Sequence, residues 1–143
     1  MKQEVLITLR GTQGAGGDDP QTMELVTKGT MTGRNGKFAI SYEETELTGT
    51  PGVTATFLIL NPDRVVLTRE GPVKSRMVFV RGTKDEELYD LGFGSLLISV
   101  YTKEIRSALS DNGGTLFIDY LVEIEDAAVT HNVYEITVEV CGG

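Results

Sequence analysis

The sequence predicts an all-β fold, a single closed antiparallel barrel running up and down through roughly eight to ten strands. Three observations carry this. Residues 115–126, TLFIDYLVEIED, place Leu116, Ile118, Tyr120, Val122 and Ile124 on one side of an extended chain. Phe117, Asp119, Leu121, Glu123 and Glu125 fall on the other side, which is the two-residue period of a half-buried strand. The same alternation recurs along most of the 143 residues, and no segment reads convincingly as a helix. Turn signals interrupt it at short intervals. Consecutive hairpins with one apolar face each must bury those faces, and closing the sheet on itself does so while removing exposed edges. A two-sheet sandwich is the alternative.

The first strand, 4–10, turns Val5, Ile7 and Leu9 to one side. Residues 11–22, GTQGAGGDDPQT, read as a flexible loop rich in glycine and aspartate. Strands at 23–32 and 37–47 flank GRNG, where Asn35-Gly36 is a strong hairpin signal. The second of them carries Phe38, Ile40 and Tyr42 on one face. TGTPG at 48–52 turns the chain into 53–60, where Ala55, Phe57 and Ile59 alternate with Thr54, Thr56 and Leu58. NPD at 61–63 and Gly71-Pro72 bound a strand at 64–70, and 74–81 follows with Met77 and Phe79 on one face. Residues 82–94 are less clear, and a short strand around Leu88-Tyr89 is compatible with them before the turn GFGS. Residues 96–109 read either as one long strand or as a strand with a helical turn near TKEIRSAL, because the period is ambiguous there. DNGG at 111–114 is a hairpin turn, and 133–140 closes the chain with Tyr134, Ile136, Val138 and Val140 in register.

Composition narrows the function classes. One domain spanning 1–143 is the natural size. The chain is 40% hydrophobic and 24% charged, with a net charge of -8. That balance argues against nucleic acid as a partner, since such binding leans on basic surface. No apolar run approaches membrane-spanning length, so no membrane partner is expected. A single cysteine, Cys141, rules out an intramolecular disulfide, and a single histidine, His131, leaves too few soft ligands for a His/Cys zinc site. The start, MKQEVLITLR, reads as a strand and not as a signal peptide. A reducing, cytoplasmic setting is the expectation.

Four stretches resemble the YwiB-like family of small bacterial proteins: SYEETELTG at 41–49, LTREGPVKSRMVFVRG at 67–82, GFGSLLISVYTKEI at 92–105 and HNVYEITVEV at 131–140. They occur in order along almost the whole chain. The resemblance implies a calycin-like barrel, related in shape to lipocalins and fatty-acid-binding proteins. It implies no activity and transfers no catalytic residues, because the family is a domain of unknown function. The chain also lacks the Trp of the lipocalin Gly-x-Trp signature, and GTQGAGGDDPQT is too short and glycine-rich for a helical lid. Hydrophobic-ligand transport is therefore not inherited from the shape.

Several motifs have a plain reading. Gly14, Gly16 and Gly17 fit neither a phosphate loop nor a dinucleotide fingerprint, and Asp18-Asp19 would repel phosphate. His131 reads as a loop residue between the last two strands, with no GxSxG elbow to recruit it. Of Glu43, Glu44 and Glu46, alternation puts Glu44 and Glu46 on one face and Glu43 on the other, with no second carboxylate singled out across a cleft.

Two charges on apolar stripes are more telling. Glu44 continues the face of Phe38, Ile40 and Tyr42, and Arg69 continues the face of Val65 and Leu67. In a simple meander they lie near one barrel end with a single strand between them, about 10 Å apart at the backbone. If both point inward they must pair, because a buried lone charge is costly. Tyr42 or Tyr120 would add hydroxyl hydrogen bonds. Arg69, Glu44, Tyr42 and Tyr120 are thus the candidate ligand-binding residues, forming the polar end of a lumen that would orient a small, partly apolar or anionic ligand. The plainer reading is a solvated rim or an ion pair that plugs the barrel. No catalytic residue, cofactor or metal is expected. The leading function is non-enzymatic small-molecule binding. The alternative is a structural or protein-interaction module whose barrel is filled by its own side chains, and a homodimer is compatible with either.

Overall fold

The computed structural model describes residues 2–15, 19–44, 51–72, 74–90, 94–125 and 128–141. Ten strands follow in chain order: β1 (Lys2–Ala15), β2 (Gln21–Arg34), β3 (Lys37–Glu43), β4 (Thr54–Asn61), β5 (Arg64–Glu70), β6 (Ser75–Val80), β7 (Lys84–Asp90), β8 (Ser95–Ser110), β9 (Gly113–Ile124) and β10 (Ala128–Val140). All ladders are antiparallel, in the order β6-β5-β4-β3-β2-β1-β10-β9-β8-β7. Every strand therefore pairs with its chain neighbours except at β6 and β7, which do not pair with each other, and β1 and β10 pair, Leu9 facing Ile136. The result is a nearly closed up-and-down barrel.

Its seam lies between β6 and β7, the two ends of the sheet order. The base of the seam is held by backbone bonds, Gly82 N–H to the Thr102 carbonyl (2.7 Å) and Thr102 N–H to the Thr83 carbonyl (3.2 Å). There Arg81 bonds to Asp63 at 2.7 Å and approaches Glu104 at 3.9 Å.

The alternating apolar residues point inward as the pattern requires. Val5, Ile7, Leu9, Ile40, Phe57, Ile59, Leu67, Phe79, Leu116, Ile118 and Ile136 are all at most 2% exposed and form one continuous core. The turns follow their chemistry. Asn35 and Gly36 both have positive φ (54° and 77°), the backbone of the two-residue turn that matches hairpin twist. At the β4–β5 turn the Asn61 side chain accepts from Asp63 N–H at 2.8 Å, pre-forming the bend.

Three expectations are corrected and one open alternative is settled. Residues 11–15 and 21–22 belong to β1 and β2, so the connection is shorter than the glycine content suggested; strand pairing outweighs the low propensity of glycine there. A full strand, β7, occupies 84–90 because β8 supplies a ladder partner for every residue of it. Residues 95–110 are one strand without a helical turn. A bulge between Thr102 and Glu104 shifts the alternation by one, so Val100 and Thr102 point inward before it and Ile105 after it. That slip is what blurred the period. Finally, β10 starts at Ala128, which puts His131 inside a strand, its Nε2 2.6 Å from Asp119 on the outer wall. The expected strand end at Glu46-Leu47, Gly16, Gly17, Asp18 and the Gly92-Phe93 half of GFGS lie outside the described residues.

Candidate functional site

Strand alternation sends β1, β3, β5, β7 and β9 toward one end of the barrel, so their outgoing connections gather there. The inward-facing residues closest to that end on β3 and β5 are Tyr42 with Glu44 just beyond the strand, and Arg69. Tyr42 faces Ala55 on β4, and Ala55 faces Arg69 on β5. Ala55 is fully buried, and its methyl group leaves the space through which the longer arginine crosses β4. Glu44 N–H donates to the Val53 carbonyl at 2.8 Å, which fixes the backbone as it leaves β3. From there the carboxylate accepts from Arg69 Nε at 2.8 Å.

This pair sits in a largely dry setting. The Glu44 side chain is 5% exposed and that of Arg69 29%. Burial works against the arginine's charge, but the Glu44 hydrogen bond and the fields of Tyr134 and Glu44 outweigh it, and the guanidinium pKa is raised. Of the guanidinium N–H groups, Nε is spent on Glu44. The terminal nitrogens remain as donors on the side of Tyr134, whose field helps hold the guanidinium charged.

The tyrosines extend the cluster across the barrel. Tyr120 on β9 and Tyr134 on β10 lie side by side, their ring centroids 5.7 Å apart and tilted by 31°. Tyr120 packs on Phe79 at 4.7 Å, and Tyr134 meets Phe57 edge-on at 5.6 Å and 82°. Burial, then the Tyr134 field and hydrogen bond, pushes the Tyr120 phenol far up. Burial, then Tyr134 and Glu44 against the opposing pull of Arg69, raises Tyr42 to about 12. Both phenols stay neutral across the physiological range and serve as hydroxyl donors or acceptors.

The four nominated residues thus converge on one end of the barrel, with Tyr42 and Glu44 beside Arg69 and Tyr120 reached through Tyr134. Tyr134 is the member of this cluster that sequence reasoning left out. Its signal was present: it lies on the apolar stripe with Ile136 and Val138, as Tyr42 lies with Ile40. A depression of about 230 Å³ opens beside it, lined by Gly11, Met23, Tyr120, Asn132 and Tyr134 among others. Larger hollows of about 580 and 500 Å³ lie on the outer wall, around Lys28 and Ser41 and around Lys37, Leu58 and Leu60. Below the charge pair, the lower barrel is packed with its own side chains. His131 and Asp119 lie on the other face of their strands from Tyr134 and Tyr120, so alternation keeps them out of this cluster. Glu43 is exposed on the outer wall, and Glu46 lies outside the described residues.

Comparison with known proteins agrees with this architecture. Residues 7–136 match the family model described as Domain of unknown function (DUF1934). The chain is 30% identical over 145 residues to the uncharacterized β-barrel protein YwiB of Bacillus subtilis (strain 168), covering 100% of this chain and 98% of that one. The crystal structure of the ywiB protein from Bacillus subtilis superposes with a TM-score of 0.76 at 22% identity, over 99% of this chain and 94% of that one. An order of ten antiparallel strands, a shared fold and a match over nearly the whole length lead to one conclusion: this chain belongs to the DUF1934 family of uncharacterised, YwiB-like β-barrel proteins.

Proposed function

We propose that this protein is a non-enzymatic binding protein that takes a small anionic, partly apolar molecule at the barrel end formed by Arg69, Glu44, Tyr42, Tyr120 and Tyr134. The observation that carries the reading is a near-buried charge pair at one end of an otherwise apolar interior, with Tyr120 and Tyr134 in the wall of a depression at the same end. An anionic head group would take the terminal guanidinium nitrogens and the tyrosine hydroxyls, where charge-assisted hydrogen bonds are strong. The apolar part would lie against half-buried residues of the same mouth, such as Met77, Ile98 and Val122. The packed lower barrel limits the ligand to the upper end, so it must be short. A reducing, cytoplasmic setting suits a chain whose one cysteine is unpaired and exposed.

Isothermal titration with octanoate and with octanol tests the reading. The acid should bind and the alcohol should not, and Arg69→Met should abolish octanoate binding while the circular dichroism stays native. Unchanged octanoate affinity in that variant would dispose of the role given to Arg69. A native mass spectrum of freshly purified protein then looks for a retained ligand.

The packing of Phe57, Phe79, Leu67 and Ile118 favours a second reading, in which the barrel is a self-filled scaffold and its surface interacts with other proteins. Octanoate binding that is absent in the wild type, with no retained ligand, favours this one.

A further inference from the structure

The barrel leaves one stretch of backbone without a ladder partner, and its two walls carry opposite charge. β6 and β7 end the sheet order and do not pair with each other, although only the turn at 81–83 separates them. They are joined at that turn by Thr83 N–H donating to the Val80 carbonyl at 3.0 Å, and the turn is pinned to β8 at Thr102, whose buried hydroxyl has no hydrogen-bond partner. Above it each strand presents a bare edge. The β6 side, residues 74–81, carries Lys74, Arg76 and Arg81 and no carboxylate. The β7 side, KDEELYD, carries Asp85, Glu86, Glu87 and Asp90 against one lysine. That lysine, Lys84, lies 3.4 Å from Glu123. Leu88, between these carboxylates, is 71% exposed.

Edge strands usually carry charge to prevent pairing with other chains. A single sign on both edges would do that against every copy of the same molecule. Opposite signs forbid β6 against β6 and β7 against β7, but they favour β6 against β7. We infer that the seam is a dimerisation edge, with β6 of one copy pairing antiparallel with β7 of a second copy, and β7 of the first with β6 of the second.

Symmetry permits both contacts at once. β6 and β7 run in opposite directions within one barrel. A twofold axis parallel to β6 and β7 themselves, which tilt by about 35–45° from the barrel axis, placed outside the seam, keeps each strand's direction and exchanges left for right. It therefore sets each basic edge beside an acidic edge, running antiparallel, and the assembly closes as an isologous dimer with no edge left to propagate. The outer faces bring the side chains of Arg76 and Glu86, both exposed in the single chain, together as cross-strand neighbours. Leu88, 71% exposed in the single chain, gains cover from the strand that pairs beside it. This inference does not depend on ligand binding, and it supplies a partner for the interaction reading.

Sedimentation velocity across micromolar concentrations is the test. The wild type should sediment as a dimer. Each contact occurs twice in the assembly, so Arg76→Glu and Glu86→Arg should each weaken it about tenfold or more. The double reversal should restore it. Far-UV circular dichroism reports whether each variant folds. Should a variant fail to fold, amide hydrogen exchange on the wild type decides instead: exchange in β6 and β7 must slow as protein concentration rises, while β3 stays unchanged. A monomer at all concentrations, a dimer indifferent to both reversals, a swap that does not restore pairing, or concentration-independent exchange at the seam would each overturn the proposal. Capture of an extended peptide at a seam that shows no self-association would overturn it too.

Discussion

Replacing Arg69 by Met should destabilise the fold more than replacing Glu44 by Gln, although the two residues form one pair. The asymmetry comes from where the charges sit. Glu44 is 5% exposed at its side chain and Arg69 29%. Arg69→Met strips a buried carboxylate of its cation, and removing one partner of a fully buried pair costs about 3–5 kcal/mol. The guanidinium's partial exposure lets water reach the pair, which brings the expected cost down to about 2–3 kcal/mol. Glu44→Gln keeps an oxygen acceptor for Nε, and the arginine can turn to solvent; the loss is about that of one charged hydrogen bond, roughly 1–2 kcal/mol. Arg69→Met with Glu44→Gln should cost less than the sum of the two, because the second change removes the charge that the first one stranded. Urea denaturation at neutral pH measures all four proteins, with equal m-values required for the comparison. Glu44→Gln proving the costlier change, or strict additivity of the two, would refute the reasoning and place the pair in water.

Three further outcomes follow from the same cluster. On alkaline titration followed by tyrosine absorbance, Tyr42 and Tyr120 should remain un-ionised at about pH 11. Because folding raises the Tyr42 pKa above its usual value of 10.0 to about 12, the contribution of the neutral phenol is fully present below pH 10.0 and is lost as pH rises toward about 12. A urea midpoint flat across that window would contradict the assignment. Phe57→Ala should cost about 3–5 kcal/mol and weaken the near-UV dichroism of Tyr134, which packs edge-on against that ring. Gly29→Val should unfold the protein or cost several kcal/mol in thermal denaturation, since a Cβ there would run into the Ser41 carbonyl and lie 2.6 Å from Ile7 Cδ1.

The sequence by itself determined the class of fold and most of its elements. Alternation in TLFIDYLVEIED and the Asn35-Gly36 turn are local signals, and a period of two leaves little choice about which face is buried. It also brought Glu44 and Arg69 to one end, because a meander of three strands with known turns fixes which end each residue approaches. What tertiary structure decided was everything that depends on a second strand. The Thr102–Glu104 bulge exists because β9 holds its register past it, and no single-strand pattern encodes that. β7 is a strand because β8 pairs with it. Tyr134 joins the site because β10 closes onto β1 and lays its ring between Phe57 and Tyr120, residues 77 and 14 positions away in the chain. The seam between β6 and β7 is likewise a property of closure, since local sequence forms hairpins but only the assembled barrel determines which pair of neighbours is left apart.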